Sequence, residues 1–199
     1  MPNKINIIGL VAAVSTLLLI AISVFVPWWH LTVGKPAISE VNFSPVNLNF
    51  ALFGSIITVP LIWAMNIASL LSLATGGITM LIYSIRPTKP YAKKLLEFGY
   101  KKPLYAVILF VIEIVGLALT VKTLAGFDFP LMGSGALQLP ASMAPNGISI
   151  SVSITSGFEW PFYFAIIVVA LCAAARLYHR KTVTPTINLP IPPPPTVSN

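Results

Sequence analysis

Four long apolar runs, separated by polar stretches, organise this sequence. Residues 5–26 carry no charge, and a helix needs about 20 apolar residues to cross a ~30 Å hydrocarbon core. A cleaved secretory signal has a shorter apolar region of about 7–15 residues. This run is longer and closes on Pro27-Trp28-Trp29, so it predicts a retained transmembrane helix. The second run, Phe50 to Ile85, would reach about 54 Å as one helix at 1.5 Å per residue. Pro60 offers a break, because proline disrupts a helix interior but is accepted in its first turn. The crossing is therefore placed at Pro60–Ser84, with Phe50–Val59 a strand or a helical extension before it. A third run, Leu104 to Leu124, contains Glu113 and Lys122. The fourth runs from Trp160 to Leu177.

The polar stretches have their own pattern. Residues 148–155 read Ile-Ser-Ile-Ser-Val-Ser-Ile-Thr, an alternation that marks a strand with one covered and one wet face. Ala144-Pro145-Asn146-Gly147 before it is a turn sequence, and Leu137-Gln138-Leu139 is the candidate partner strand, with Pro140 confining it to an edge. The first outer loop alternates too, in Val41-Asn42-Phe43 and again over residues 46–50, with Pro45 where the register shifts. Two alternating loops predict one small antiparallel sheet, since a lone hairpin is marginal in water and three or more strands with a covered face can hold.

Charge sets the orientation. Lys4, Arg86, Lys89, Lys93, Lys94, Lys101, Lys102, Arg176, Arg180 and Lys181 fall on one side, and only Lys35 and Lys122 on the other. Basic residues accumulate on the cytoplasmic side of short loops, which puts both termini inside. Trp28, Trp29, Trp63 and Trp160 then fall at the outer ends of helices and read as interface anchors, while Tyr83, Tyr91, Tyr100, Tyr105 and Tyr178 fall at the inner ends or in the inner loop. The predicted fold class is an α-helical membrane protein, a tetraspan bundle with a small extracytoplasmic antiparallel sheet. Its organisation is a first helix over 1–27, a first outer loop with strands over 28–59, a second helix over 60–85 and a basic cytoplasmic loop over 86–102. A third helix over 103–124, a second outer loop with a hairpin over 125–159, a fourth helix over 160–178 and a proline-rich cytoplasmic tail over 179–199 complete it.

Composition agrees. The chain is 56% hydrophobic and 9% charged, with mean hydropathy +0.88, against roughly 25% charged residues in a soluble domain. The net charge of +7 lies beside apolar runs rather than on a polar domain, so no nucleic-acid partner is expected. The single cysteine, Cys172, forbids an intramolecular disulfide and a cysteine metal cluster. His30 and His179 lie on opposite sides of the membrane, which disfavours a paired-histidine haem or zinc site. No nucleophile–base pair, phosphate loop or metal spacing stands out, so the chain is expected not to be an enzyme and to need no cofactor.

Glu113 is the one residue that stands apart chemically. A charge near the centre of a membrane helix costs about 2.5–3.5 kcal/mol on insertion scales, so this carboxyl should face the bundle, be protonated or have a partner. Candidate neighbours by depth are Asn66, Ser72 and Thr75, with Gly76 and Gly77, on the second span, and Ser15 and Thr16 on the first. The structural reading makes Glu113 interhelical glue or a contact to another subunit's helix. The functional reading makes it a proton or cation site.

Four helices, inner termini and strand-forming outer loops resemble the claudin-type tetraspan layout. That family carries tryptophans followed by a cysteine pair in its first loop; here the stretch is Pro27-Trp28-Trp29-His30, and the loops hold no cysteine. The resemblance is one of layout, and fold alone does not assign function. The leading expectation is a non-catalytic subunit or scaffold in the cell membrane, whose partners are the lipid bilayer, other membrane subunits or further copies of itself. The proline-rich tail is expected to be extended or disordered, and offers a docking segment for a cytoplasmic partner. The alternatives are a small transporter or proton-conducting component built on Glu113, and an accessory subunit of a membrane oxidoreductase.

Overall fold

The computed structural model describes residues 5–35, 37, 39–46, 48–52, 55–56, 60–126, 128, 130–139 and 150–182. The turn at 144–147, Ile148, Ser149 and the tail beyond Thr182 lie outside the described residues. In chain order the elements are α1 Ile7–Phe25, β1 Trp29–Val33, β2 Ser39–Phe43, β3 Leu48–Leu52, β4 Ser55–Ile56 and α2 Pro60–Ile85. They continue with α3 Ala92–Gly99, α4 Lys102–Ala125, β5 Gly133–Leu139, β6 Ile150–Phe158 and α5 Trp160–Thr182. Among the described residues, four helical stretches are long and apolar enough to cross a membrane: α1, α2, residues Ala92–Thr123 taken together, and Trp160–His179 of α5. The chain therefore has the make-up of a multi-pass membrane protein.

Small residues let the helices close up. The side-chain oxygen of Asn6 caps α1 by accepting the Gly9 N–H at 2.9 Å, and the Asn6 N–H donates to the Ser84 carbonyl at 3.0 Å. A Cβ at Gly9 would stand 2.5 Å from Ser84 Oγ, and one at Gly77 would stand 2.8 Å from Leu17 Cδ2. At either site an added side chain would have to displace its neighbour, so α1 and α2 touch backbone to side chain, as small residues allow in apolar bundles. Gly76 plays the same part towards α4, where an added Cβ would stand 2.9 Å from Lys102 Cβ and 3.1 Å from Pro103 Cδ.

The basic stretch expected as a loop is partly helical. In α3, Ala92, Leu96 and Gly99 are buried while Lys93, Lys94, Glu97 and Phe98 are exposed, a one-sided pattern at helical spacing. Its charge density disguised that pattern in the sequence. A Cβ at Gly99 would press on Thr79 and Met80, so α3 lies against the basic end of α2 and continues into α4 through a turn at Tyr100 and Lys101.

Among the described residues, both connecting regions contribute to one six-stranded antiparallel sheet, ordered β4-β3-β2-β1-β6-β5. The central strand, β1, pairs with β2 through Trp29–Phe43 and with β6 through Trp29–Phe158. It is the strand that links the first connection to the second. In β2 the burial alternates, with Val41 and Phe43 inward and Glu40 and Asn42 outward, the period of two that a half-covered strand requires.

Trp28 and Trp29 correct an expectation. Rings at a lipid headgroup interface should be partly exposed, but both are completely buried, whereas Trp63 and Trp160 are 58% and 52% exposed. Trp28 packs edge-on against Phe110 of α4 with centroids 5.0 Å apart, and Phe43 and Phe162 approach the same ring at 5.4 and 5.9 Å. Each indole N–H is satisfied: Trp28 Nε1 donates to Ser23 Oγ at 2.7 Å and Trp29 Nε1 to the Leu131 carbonyl at 2.8 Å. Ser44 Oγ donates to the Ser23 carbonyl at 2.9 Å, covering a carbonyl that the last turn of α1 leaves open. A proline followed by two tryptophans reads the same in sequence whether the rings meet headgroups or the floor of a sheet; only packing separates the two.

Candidate functional site

Glu113 sits midway along α4 and is 4% exposed. Neither of its carboxyl oxygens has a hydrogen-bond partner among the described residues, and the same holds for Asn66 Oδ1 and Ser69 Oγ on α2. Asn66 and Ser69 are also buried. Buried polar atoms are nearly always paired in folded proteins, so these four oxygens without partners among the described residues, on two neighbouring helices, form a distinct feature.

Helix geometry brings them to one level. The helices α2 and α4 run antiparallel, with Gly76 against Lys102 and Pro103. Moving about ten residues from each of these positions towards the sheet end reaches Asn66 on α2 and Glu113 on α4, a rise of about 15 Å along both axes. On α2, Ser69 is seven residues from Gly76, and on α4, Glu113 is seven from Ala106. Two turns of helix return a side chain to nearly the same face, so Ser69 shares the α4-facing side of α2.

The sequence-derived neighbours divide. Asn66 belongs to this level. Thr75 is exposed and turns its hydroxyl back to the Leu71 carbonyl at 2.6 Å, and Ser72 is half-buried, its carbonyl accepting from the Thr75 hydroxyl at 3.3 Å. Thr16 lies beside Gly77 and donates to the Ala12 carbonyl at 2.7 Å. Gly77 is eleven residues, about 16 Å, from Asn66 along α2, so Thr16, Gly76 and Gly77 lie far from the level of Glu113. Centring every span on one midplane produced the mismatch: α4 begins opposite Gly76, well short of the basic end of α2, and its midpoint is shifted towards the sheet. Ser69 was missed, although its position one turn beyond Asn66 and two turns before Gly76 could have marked it.

What the cluster leaves open is its oxygens, both of Glu113, Oδ1 of Asn66 and Oγ of Ser69, none with a partner among the described residues. A proton on Glu113 would turn one of its acceptors into a donor, and a small cation would draw on the oxygens directly. The burial of Glu113 inside the chain leaves little for a neighbouring subunit's helix to touch, which argues against the intersubunit version of the glue reading. Among the described residues no three of His, Cys, Asp and Glu lie close enough to hold a metal ion. At the sheet end of α4, Lys122 Nζ lies 3.0 Å from Asp128 Oδ1.

No family model matches this chain, and no curated protein matches it either.

Proposed function

We propose that this protein is a non-catalytic integral membrane subunit or scaffold of a larger assembly, seated in the cell membrane with both termini cytoplasmic. The observation that carries the reading is the sheet. It is fused to the helices through Trp28, Phe43, Phe110 and Phe162, and among the described residues it ends on two edge strands, β4 and β5. Edge strands present unpaired backbone donors and acceptors and serve as templates for pairing with another chain. The orientation rests on the basic residues: Arg86, Lys89, Lys93, Lys94, Lys101, Lys102 and Arg176 all gather at the end of the bundle opposite the sheet, as cytoplasmic segments do. The claudin-type resemblance concerns this layout and supplies no function by itself.

A photo-crosslinker placed at Ser134 or Ala136 of β5, both exposed, tests the reading in native membranes. Adducts to one recurring partner, or to a second copy, are expected from β5 and not from Val11 on α1. Adducts absent from β5, or no stronger there than at Val11, would contradict it.

The unpaired oxygens of Glu113 favour a second reading, a proton- or cation-conducting component. Proteoliposomes should then show flux that Glu113→Gln removes; flux unchanged in that variant rejects it.

A further inference from the structure

At the end of the bundle away from the sheet, α3 and α5 enclose a cavity of about 250 Å³ lined by Lys93, Leu96, Glu97, Arg176 and His179. Two of its basic side chains are held in place from behind. His179 Nδ1 lies 2.9 Å from Tyr83 Oη, and that same phenol accepts Asn6 Nδ2 at 2.6 Å. The Arg176 guanidinium lies over the Tyr100 ring, 4.3 Å from its centroid, and hydrogen-bonds the Tyr100 hydroxyl. Lys93 is the exposed member. It meets Glu97 only at 4.0 Å, and their side chains are 74% and 51% exposed, a surface pair of the weak kind.

The surroundings have the same sign. Between residues 86 and 102, Glu97 is the one acid against Arg86, Lys89, Lys93, Lys94, Lys101 and Lys102. Exposed aromatic rings stand at this end, Tyr91, Phe98 and Tyr178 among them, and Lys102 Nζ reaches over Phe98 at 4.6 Å from its centroid. Exposed aromatic rings interleaved with basic side chains mark headgroup depth on a bundle, and basic pockets between helices on the cytoplasmic side suit acidic headgroups.

We propose that this cavity binds the phosphate of an anionic phospholipid headgroup, gripped by Lys93 and Arg176 with His179 as its third polar wall. Arg176 presents a planar donor fork suited to phosphate oxygens. Lys93 closes over the bound group from the exposed face of α3, exchanging its loose pairing with Glu97 for the phosphate. The lipid source is preferred over a soluble phosphate because Leu96 gives the cavity an apolar wall and the helices around it present apolar side chains outward.

Native mass spectrometry of the full-length protein in mild detergent, titrated with phosphatidylglycerol or phosphatidylcholine, tests the assignment. One phosphatidylglycerol should be retained in preference to phosphatidylcholine. Lys93→Gln and Arg176→Gln should each weaken retention about fivefold, the worth of one basic side chain near an acidic headgroup. Lys93 is exposed, so its variant folds independently of the result for Arg176. Lys94→Gln, an exposed neighbour outside the cavity, should change retention less than twofold. Equal losses in the Lys93 and Lys94 variants would show a diffuse charge effect and overturn the site. Binding of glycerol phosphate as tight as that of the lipid, with full displacement of the lipid, would overturn the lipid assignment.

Discussion

Beneath the sheet and around Glu113, the molecule buries polar groups in two opposite ways. Under the sheet, the indole N–H groups of Trp28 and Trp29 and the hydroxyls of Ser23 and Ser44 all find partners at 2.6–2.9 Å. About a turn away on α4, the Glu113 oxygens find none among the described residues, nor do Asn66 Oδ1 and Ser69 Oγ on α2. Phe110 belongs to the first region and Glu113 to the second, on the same helix. Aromatic packing and paired donors make the first region a rigid weld, whose worth lies in what would be lost by disturbing it. The second region carries an energetic burden, since an unpaired buried polar group costs roughly 1–3 kcal/mol. A site that a protein keeps at such a cost is a reasonable place to look for a bound proton or ion.

Substitutions should therefore act with opposite sign in the two regions. The largest effect is expected for Trp28→Ala, which empties a fully buried site among Phe43, Phe110 and Phe162. It should lower stability by about 3–5 kcal/mol, read as a fall in the melting temperature of the detergent-solubilised protein. A loss below ~1 kcal/mol would show that the sheet is not welded to the bundle there. Glu113→Leu should do the reverse and raise stability by about 1–3 kcal/mol, because removing an unpaired polar group also removes its desolvation cost. A destabilised Glu113→Leu would mean that the carboxyl has a partner and that the two regions are alike.

Ser23→Ala sharpens the contrast from the other side. It strands the Trp28 N–H and should cost about 1–3 kcal/mol in the same melt, although only one oxygen is lost. Gly9→Ala places a methyl 2.5 Å from Ser84 Oγ and should cost about 1–3 kcal/mol by overpacking. A neutral result would show that α1 and α2 have slack at their contact. The smallest effect is expected at Lys122, paired with Asp128 at 3.0 Å with both side chains largely exposed; Lys122→Gln should shift stability by less than about 1 kcal/mol.

Much of this contrast is invisible in one dimension, and particular residues show why. Pro60 opens α2, because the first turn of a helix has no use for the N–H that proline lacks. Val41-Asn42-Phe43 falls in β2 and Ile150–Thr155 in β6, since alternation survives wherever one face of a strand is covered. Strand β1 was not foreseen: its Trp29-His30-Leu31-Thr32-Val33 follows a proline and a tryptophan that are equally typical of an interface belt. Nor was the full length of β5, whose Gly133-Ser134-Gly135 start carries no hydrophobic period. Helix α3 was masked by four lysines in the eleven residues from Ala92 to Lys102. Glu113 was visible as an isolated acid in an apolar run, and Asn66 as a neighbour by depth. That Ser69 shares the level of Glu113 depended on how far α4 is offset along α2, which the close approach of Gly76 and Pro103 sets.

The claim that matters most is that the protein works within a larger membrane assembly. Extraction from its native membrane directly into lipid nanodiscs, followed by measurement of the particle's protein mass, addresses it. The account predicts a mass well above the 21.4 kDa of one chain, with either further copies or a fixed set of other membrane proteins present. A particle holding a single 21.4 kDa chain and no other protein would contradict it.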